Sequence, residues 1–85
     1  MMSATYNDWD RLDELSRDLE RARTSLSEEL DAIDWYQQRI AASKDPELRH
    51  LLKHNMDEEK EHAAMLIEWI RKHDPEQDRA FKEHD

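Results

Sequence analysis

The absence of glycine constrains this chain more than any other feature of its sequence. Among 85 residues there is no glycine, and the two prolines are Pro46 and Pro75. Because tight β-turns normally need glycine, folds built from β-hairpins are disfavoured. Nothing breaks a helix before Pro46, and each proline follows an aspartate that can cap a new helix. The sequence therefore predicts one all-α domain over residues 1–85, with helices at about 9–42, 45–73 and 75–84.

Composition excludes several classes of function. The chain has no cysteine, so disulfides, thiolate zinc sites, iron–sulfur clusters and cysteine nucleophiles are excluded. With 22 acidic and 13 basic residues, the net charge of −9 disfavours nucleic acid as a partner and favours cations. No apolar run approaches the roughly 20 residues of a membrane span, and residues 1–10 lack the regions of a signal peptide. We therefore expect a soluble, cytoplasmic protein with no membrane partner, stabilised by metal or oligomerisation because it is so short.

Apolar residues recur in alternating steps of three and four along both long helices, as in coiled-coil heptads. The seam predicted for the first helix contains Leu12, Leu15, Leu19, Ala22, Leu26, Ile33 and Ile40. The seam predicted for the second contains Leu48, Leu52, Asn55, Leu66 and Trp69. Two such seams predict an antiparallel two-helix hairpin, to which the short C-terminal helix is appended.

Four positions in these seams are occupied by polar residues. The heptad steps require seam residues at 29 and 36 in the first helix and at 59 and 62 in the second, and these are Glu29, Tyr36, Glu59 and His62. A carboxylate in an apolar seam costs several kcal/mol unless it is paired, protonated or bound to metal. These side chains are therefore expected to share a compensating partner.

Chain register predicts that the two glutamates are neighbours. If the hairpin turns near Lys44, Glu29 lies 15 positions before the turn and Glu59 lies 15 positions after it. His62 follows Glu59 by three residues, on the same helix face one turn away. One chain thus offers a Glu, a Glu-x-x-His and the hydroxyl of Tyr36, which is half of the ligand set of a di-iron carboxylate bundle. Two copies related by a two-fold axis would complete a ferritin-like four-helix bundle.

Carboxylate oxygens with one imidazole per metal suit iron or manganese, and bridging glutamates can hold two ions close together. The sequence thus predicts a centre for two metal ions, iron or manganese, shared between two chains. One alternative is a polar network that fixes helix register in a non-enzymatic helical-hairpin oligomer or adaptor. A di-iron oxygenase is a further alternative, but it would need an open substrate cavity, for which so small a chain offers little room.

Two stretches resemble the encapsulated ferritins, a bacterial ferritin-like family carried as cargo inside encapsulin shells. They are EELDAIDWYQQRI at 28–40 and DPELRHLLKHNMDEEKEHAAMLIEWIRK at 45–72. The resemblance covers roughly residues 25–73. It implies that two chains complete a di-iron ferroxidase centre, which oxidises Fe(II) to Fe(III) with dioxygen. It also implies that dimers join in a decameric ring and that an encapsulin nanocompartment stores the oxidised iron.

The resemblance also implies roles for particular positions. The iron ligands correspond to Glu29, Glu59 and His62. The aromatic pair beside the centre corresponds to Trp35, which is not a ligand, and Tyr36. An acidic pair that guides metal inward corresponds to Glu28 and Asp31, where Asp31 replaces the expected glutamate and reaches one methylene less far. Family members usually continue into a flexible tail with a shell-docking motif, whereas this sequence ends at FKEHD.

Other residues of metal-binding type are expected to be structural. Met56 and Met65 are expected to fill the core, as isolated methionines on helices usually do. The remaining histidines are expected at the surface: His50, His54, His73 and His84. Zinc is expected to compete with iron at the predicted centre, because it stands above iron in the usual affinity order.

Overall fold

The structure is a computed structural model that describes residues 8–85. Within this range it contains a 3₁₀ turn at Trp9–Arg11 followed by helices α1 (Glu14–Ala42), α2 (Pro46–His73) and α3 (Pro75–Glu83). Helices α1 and α2 pack together as a hairpin, and α3 contacts α2. The predicted all-helical hairpin with a short C-terminal helix is confirmed. No helix among the described residues is long and apolar enough to cross a membrane.

Aspartate–proline pairs set the starts of α2 and α3. Asp45 accepts a hydrogen bond from a backbone N–H of the first turn of α2 at 3.1 Å, and Pro46 takes the first helical position. Asp74 repeats the arrangement before Pro75, accepting a backbone N–H of α3 at 3.2 Å. Both helices therefore begin where the sequence predicts.

Helix α1 begins at Glu14 rather than at about residue 9. Leu12 has extended backbone, with φ −78° and ψ 140°. Asp13 then caps the helix by accepting the N–H of Ser16 at 2.7 Å, a hydrogen bond that lowers the pKa of the Asp13 carboxyl. Because the heptad spacing of apolar residues continues through Leu12, the apolar pattern alone does not reveal this break.

The interior of the hairpin is small. The buried residues in the described range are Ala22, Met56, Ala63 and Ile70. The three on α2 are spaced by seven, so they form one line that faces α1. The seam predicted for α2 lies to one side of this line, through Asn55 and Trp69, which are only half-buried. Helix α2 has apolar residues on two sides, and α1 covers one of them.

Several large apolar side chains of the hairpin are exposed. They are Leu15, Leu30, Trp35, Leu48, Leu51 and Met65. Contiguous exposed apolar surface commonly marks a site of protein association, and Leu48 and Leu51 lie one turn apart on the same face of α2. The apolar stripe of α2 is therefore wider than its contact with α1 requires.

Ion pairs hold α3 against the hairpin. Arg23 on α1 donates to Asp74 at 2.9 Å, across the junction between α2 and α3. Arg71 on α2 donates to Asp78 on α3 at 2.6 Å, and its guanidinium carbon lies 4.8 Å from the ring centroid of Phe81. These contacts fix α3 along one side of α2.

Candidate metal centre

Two carboxylates and an imidazole converge midway along the hairpin. Glu29 lies on α1, and Glu59 and His62 lie one turn apart on α2. The Nδ1 atom of His62 is 3.5 Å from Oε2 of Glu59 and 3.7 Å from Oε2 of Glu29. One ligand atom from each residue lies within 4.8 Å of the others. The structure thus brings together the three side chains whose proximity the register about Lys44 predicts.

This cluster is the one group of three or more potential ligands with such spacing found within residues 8–85. The side chains of Glu29, Glu59 and His62 are 26%, 23% and 50% exposed, respectively. The cluster therefore lies at the edge of the α1–α2 contact, with its imidazole towards solvent. Helix α3 does not cover it, because Ile67, which lines the cavity beneath α3, is about 140° around α2 from His62.

The carboxyl group of Glu59 makes Glu29 harder to ionise. A side-chain hydrogen bond with Glu59 raises the pKa of Glu29 above its ordinary value, and partial burial and the negative charge of Glu59 act in the same direction. His62 opposes this rise, but its effect is smaller. Negative charge is thus in excess in the cluster, and a bound cation would offset it.

The other predicted site residues lie outside the cluster. Tyr36 is half-buried, seven residues beyond the α1 glutamate, and the guanidinium carbon of Arg39 is 5.8 Å from its ring centroid. Trp35 is 58% exposed. Glu28 and Asp31 are exposed and do not join the three-ligand group. A single chain therefore assembles the three predicted metal ligands but not the aromatic or acidic pair around them.

The remaining histidines and methionines follow the sequence predictions with one exception. The histidines expected at the surface are exposed, namely His50, His54, His73 and His84. Met56 is 3% exposed and fills the interior as predicted, whereas Met65 is 66% exposed, so its assignment to the core is wrong. Met65 lies on the outward side of α2, beyond the line of side chains that faces α1.

The sequence analysis did not predict a shallow groove that lies on the side of the hairpin that carries His62. It encloses about 390 Å³ and is lined by Asp18, Arg21, Ala22, Ser25, Leu66 and Trp69. Leu66 and Trp69 belong to the predicted α2 seam, so their spacing beyond His62 was the available signal. Leu66 and Trp69 therefore border α1 along this groove, and neither is fully buried against it.

Comparison with known proteins identifies the family of this chain and a solved structure with the same fold. The family model described as EncFtn-like matches residues 4–84. The chain belongs to the EncFtn-like family. A crystal structure of a protein from Nitrosomonas europaea is 51% identical in sequence to this EncFtn-like chain, with a TM-score of 0.87, and the match covers 95% of this chain and 89% of that one. The helical hairpin is therefore shared with a solved structure.

Curated relatives of the EncFtn-like chain carry ferritin-like and encapsulin-related names. The encapsulated ferritin-like protein of Rhodospirillum rubrum is 51% identical over 72 residues, covering 85% of this chain and 51% of the relative. The ferritin-like protein of Thermotoga maritima is 52% identical over 66 residues, covering 78% and 58%. The encapsulin nanocompartment cargo protein EncC of Myxococcus xanthus is 43% identical over 70 residues, covering 82% and 52%. The predicted resemblance to encapsulated ferritins is confirmed, and the chain spans about half the length of these relatives.

Proposed function

We propose that two copies of this chain form a ferroxidase that binds ferrous iron at Glu29, Glu59 and His62 and oxidises it with dioxygen. The observation that carries the proposal is the convergence of two carboxylates and one imidazole within 4.8 Å on facing helices. Iron is the substrate, since it arrives as Fe(II) and leaves as Fe(III). The ferritin-like names of the relatives from R. rubrum and T. maritima support this reaction class.

The donor atoms of the cluster fit iron. Carboxylate oxygens combined with imidazole suit iron, and hard anionic oxygens favour the ferric product over the ferrous substrate. The raised pKa of Glu29 is caused chiefly by the carboxyl group of Glu59 beside it. A divalent cation in this position would neutralise both carboxylates, so metal binding would relieve their repulsion.

A second copy of the chain would complete the donor set. Ferritin-like carboxylate bundles use a Glu from each of two helices and a Glu-x-x-His from each of the other two. Doubling the cluster gives four carboxylates and two imidazoles, enough for two metal ions. Leu51 and Trp69 lie within about 20° of His62 around α2, and Leu51 is 54% exposed. Pairing over the His62 side would therefore bury apolar surface as it completes the centre.

The residues around the cluster have supporting roles in this proposal. Glu28 and Asp31 are exposed on α1 near Glu29, where their charge would attract cations towards the ligands. Trp35 and Tyr36 would flank the completed centre after pairing, with the Tyr36 hydroxyl close to the reaction. Their separation from the cluster in one chain makes these roles dependent on the second copy.

Storage of the oxidised iron is assigned to a different protein. The relative from M. xanthus is named an encapsulin nanocompartment cargo protein, which supports an encapsulin shell as the partner of this chain. We propose that dimers join in a ring inside that compartment. A ring cannot enclose a mineral, so oxidation by the ring and storage by the shell would be separate tasks.

The proposal is tested by the rate of ferrous oxidation in air by the metal-free protein, measured against a protein-free control. Glu29→Gln and Glu59→Gln each remove one anionic ligand, and His62→Gln removes the imidazole, all with little change in volume. Glu61→Gln is the matched control, because Glu61 is an exposed glutamate on the same helix and the substitution removes the same charge. We expect the first three variants to lose oxidation above the control rate and Glu61→Gln to retain it. A ligand variant that keeps the wild-type rate would refute that ligand assignment.

The close contacts of the cluster support a second candidate function, as a structural device. The Nδ1 atom of His62 is 3.5 Å from Glu59 Oε2 and 3.7 Å from Glu29 Oε2, and no buried side-chain polar atom among residues 8–85 lacks a partner. The cluster could therefore fix helix register in a non-enzymatic oligomer or adaptor. This function predicts assembly that is indifferent to iron and ferrous oxidation at the control rate, which the same experiment measures.

A further inference from the structure

Met65 combines high exposure with proximity to the candidate metal centre. It is 66% exposed, the highest value among the exposed large apolar side chains of residues 8–85. It follows His62 by three residues, which places it one turn along α2 and about 60° farther from the α1 contact. In the single chain two thirds of the Met65 surface is exposed, so Met65 contributes little to the packing of the hairpin. It lies about 40° around α2 from Leu51 and Trp69, beside the surface proposed for pairing.

Met56 provides an internal comparison for Met65. Met56 precedes Glu59 by three residues, just as Met65 follows His62 by three. Met56 is 3% exposed, because it belongs to the buried line that faces α1. The two thioethers therefore have the same sequence separation from a candidate ligand but opposite access to solvent.

An exposed thioether is a substrate for hydrogen peroxide. When two ferrous ions each give one electron to dioxygen and solvent supplies two protons, the product is hydrogen peroxide. The methionine sulfur attacks one oxygen of the peroxide, which forms an S–O bond and breaks the O–O bond, so that the sulfur loses two electrons and water leaves. Methionine sulfoxide is reversible by reductases, and an exposed residue is accessible to them.

We propose that Met65 is an oxidation site that captures hydrogen peroxide as it leaves the metal centre and so protects His62 and Trp69. The inference rests on the proposed ferroxidase function, because the reaction supplies the peroxide. Trp69 is four residues beyond Met65 on the same side of α2 and is itself oxidisable. Oxidation of Met65 spares the ligand and the indole, neither of which is restored by methionine sulfoxide reductases.

The first experiment measures intrinsic reactivity without iron. Metal-free protein is treated with hydrogen peroxide, digested with trypsin and examined by tandem mass spectrometry. Lys60 separates the two methionines into the peptides 54–60 and 61–71. We expect Met65 to form sulfoxide at least about tenfold faster than Met56, because a buried thioether reacts only when the helices open locally. Equal rates, or faster oxidation of Met56, would overturn the proposal.

The second experiment uses ferrous iron and air with catalase in solution, so that escaped peroxide is destroyed. We expect wild-type protein to form Met65 sulfoxide in proportion to the iron oxidised, and Glu59→Gln to form none. If wild-type protein oxidises iron while Met65 stays intact, the inference is overturned and the ferroxidase stands. If wild-type protein oxidises iron only at the control rate, the ferroxidase proposal fails and the inference fails with it, whatever the peroxide experiment gives.

The variant Met65→Leu tests protection, because leucine keeps the volume and apolar character of methionine without the sulfur. We expect a wild-type initial rate, followed by loss of activity over fewer cycles of iron addition. Peptide 61–71 should then show oxidation at His62 or Trp69. Endurance equal to wild type, with both residues unmodified, would refute the protective role.

Discussion

Replacing Glu29 with glutamine tests whether Glu29 and Glu59 repel each other in the candidate metal centre. In the metal-free protein, Glu29 and Glu59 have ligand atoms within 4.8 Å of each other and side chains about three-quarters covered. Two like charges at that distance repel by about 1 kcal/mol in water-like surroundings. Glutamine keeps the shape and can still hydrogen-bond to Glu59. After discounting for solvent screening, we expect the metal-free variant to be more stable than wild type by about 0.5–1 kcal/mol near neutral pH.

The direction of the pH dependence follows from the pKa of Glu29. Glu59 raises this pKa above its ordinary value of 4.5, so the native state holds the proton more tightly than the unfolded state does. The stabilisation is fully present below the unfolded value and is lost as pH rises through the folded pKa. Wild type and Glu29→Gln should therefore have similar stability in acid. At pH values above the folded pKa of Glu29, the variant should be the more stable of the two.

The assay is urea unfolding of metal-free protein, followed by helical circular dichroism at fixed protein concentration over a range of pH. Glu61→Gln is the matched control and should show no such divergence from wild type. Added ferrous ion, supplied without oxygen, should stabilise wild type and Glu61→Gln but not Glu29→Gln. A Glu29→Gln variant less stable than wild type at neutral pH, or a difference that does not change with pH, would refute the argument that these carboxylates repel each other.

Three further predictions concern packing, α3 and metal choice. Ile70→Ala should destabilise the protein by about 2–5 kcal/mol, because Ile70 is 5% exposed. Leu51 is 54% exposed, so Leu51→Ala should destabilise the monomer much less. Urea unfolding measures both effects. The Arg71 guanidinium lowers the pKa of Asp78 below 3.8, and Lys82 contributes a smaller effect in the same direction. The stability that Asp78 gives to α3 should therefore be present above pH 3.8 and be lost as pH falls through the folded pKa. Hydrogen exchange of α3 should therefore be faster in Asp78→Asn than in wild type near neutral pH, and the two should converge in strong acid. Zinc added before iron should inhibit ferrous oxidation, and a rate unchanged at zinc concentrations that saturate the protein would show that zinc does not occupy the iron site.

Local chemistry made much of the fold predictable. The Asp45–Pro46 and Asp74–Pro75 pairs define helix starts by capping and by the fixed φ of proline, and both starts were predicted from these pairs alone. The start of α1 was not predicted correctly. Asp13 caps this helix, but the apolar residues on either side of it continue the heptad spacing. A cap formed by a single side chain leaves little trace in an apolar pattern.

The candidate site was predictable because register is fixed by counting. A short turn at Lys44 places Glu29 opposite Glu59, and helical spacing places His62 beside them. The orientation of the α2 seam was harder to predict, because α2 has apolar residues on two sides and a single sequence does not show which side faces α1. The assignment of Met65 to the core rested on residue type alone, because isolated methionines on helices usually fill the core. Distinguishing the two sides required the packing of α1 against Met56 and Ala63.

The central claim is that two chains share one iron-oxidising centre. The most direct test is the initial rate of ferrous oxidation per chain across a dilution series that passes through dissociation of the pair, with the oligomeric state measured at each concentration by analytical ultracentrifugation. A shared centre predicts that the rate per chain falls in step with the fraction of paired chains, while Glu59→Gln stays at the protein-free rate throughout. A rate per chain that remains constant when the chains are fully separated would contradict the shared centre.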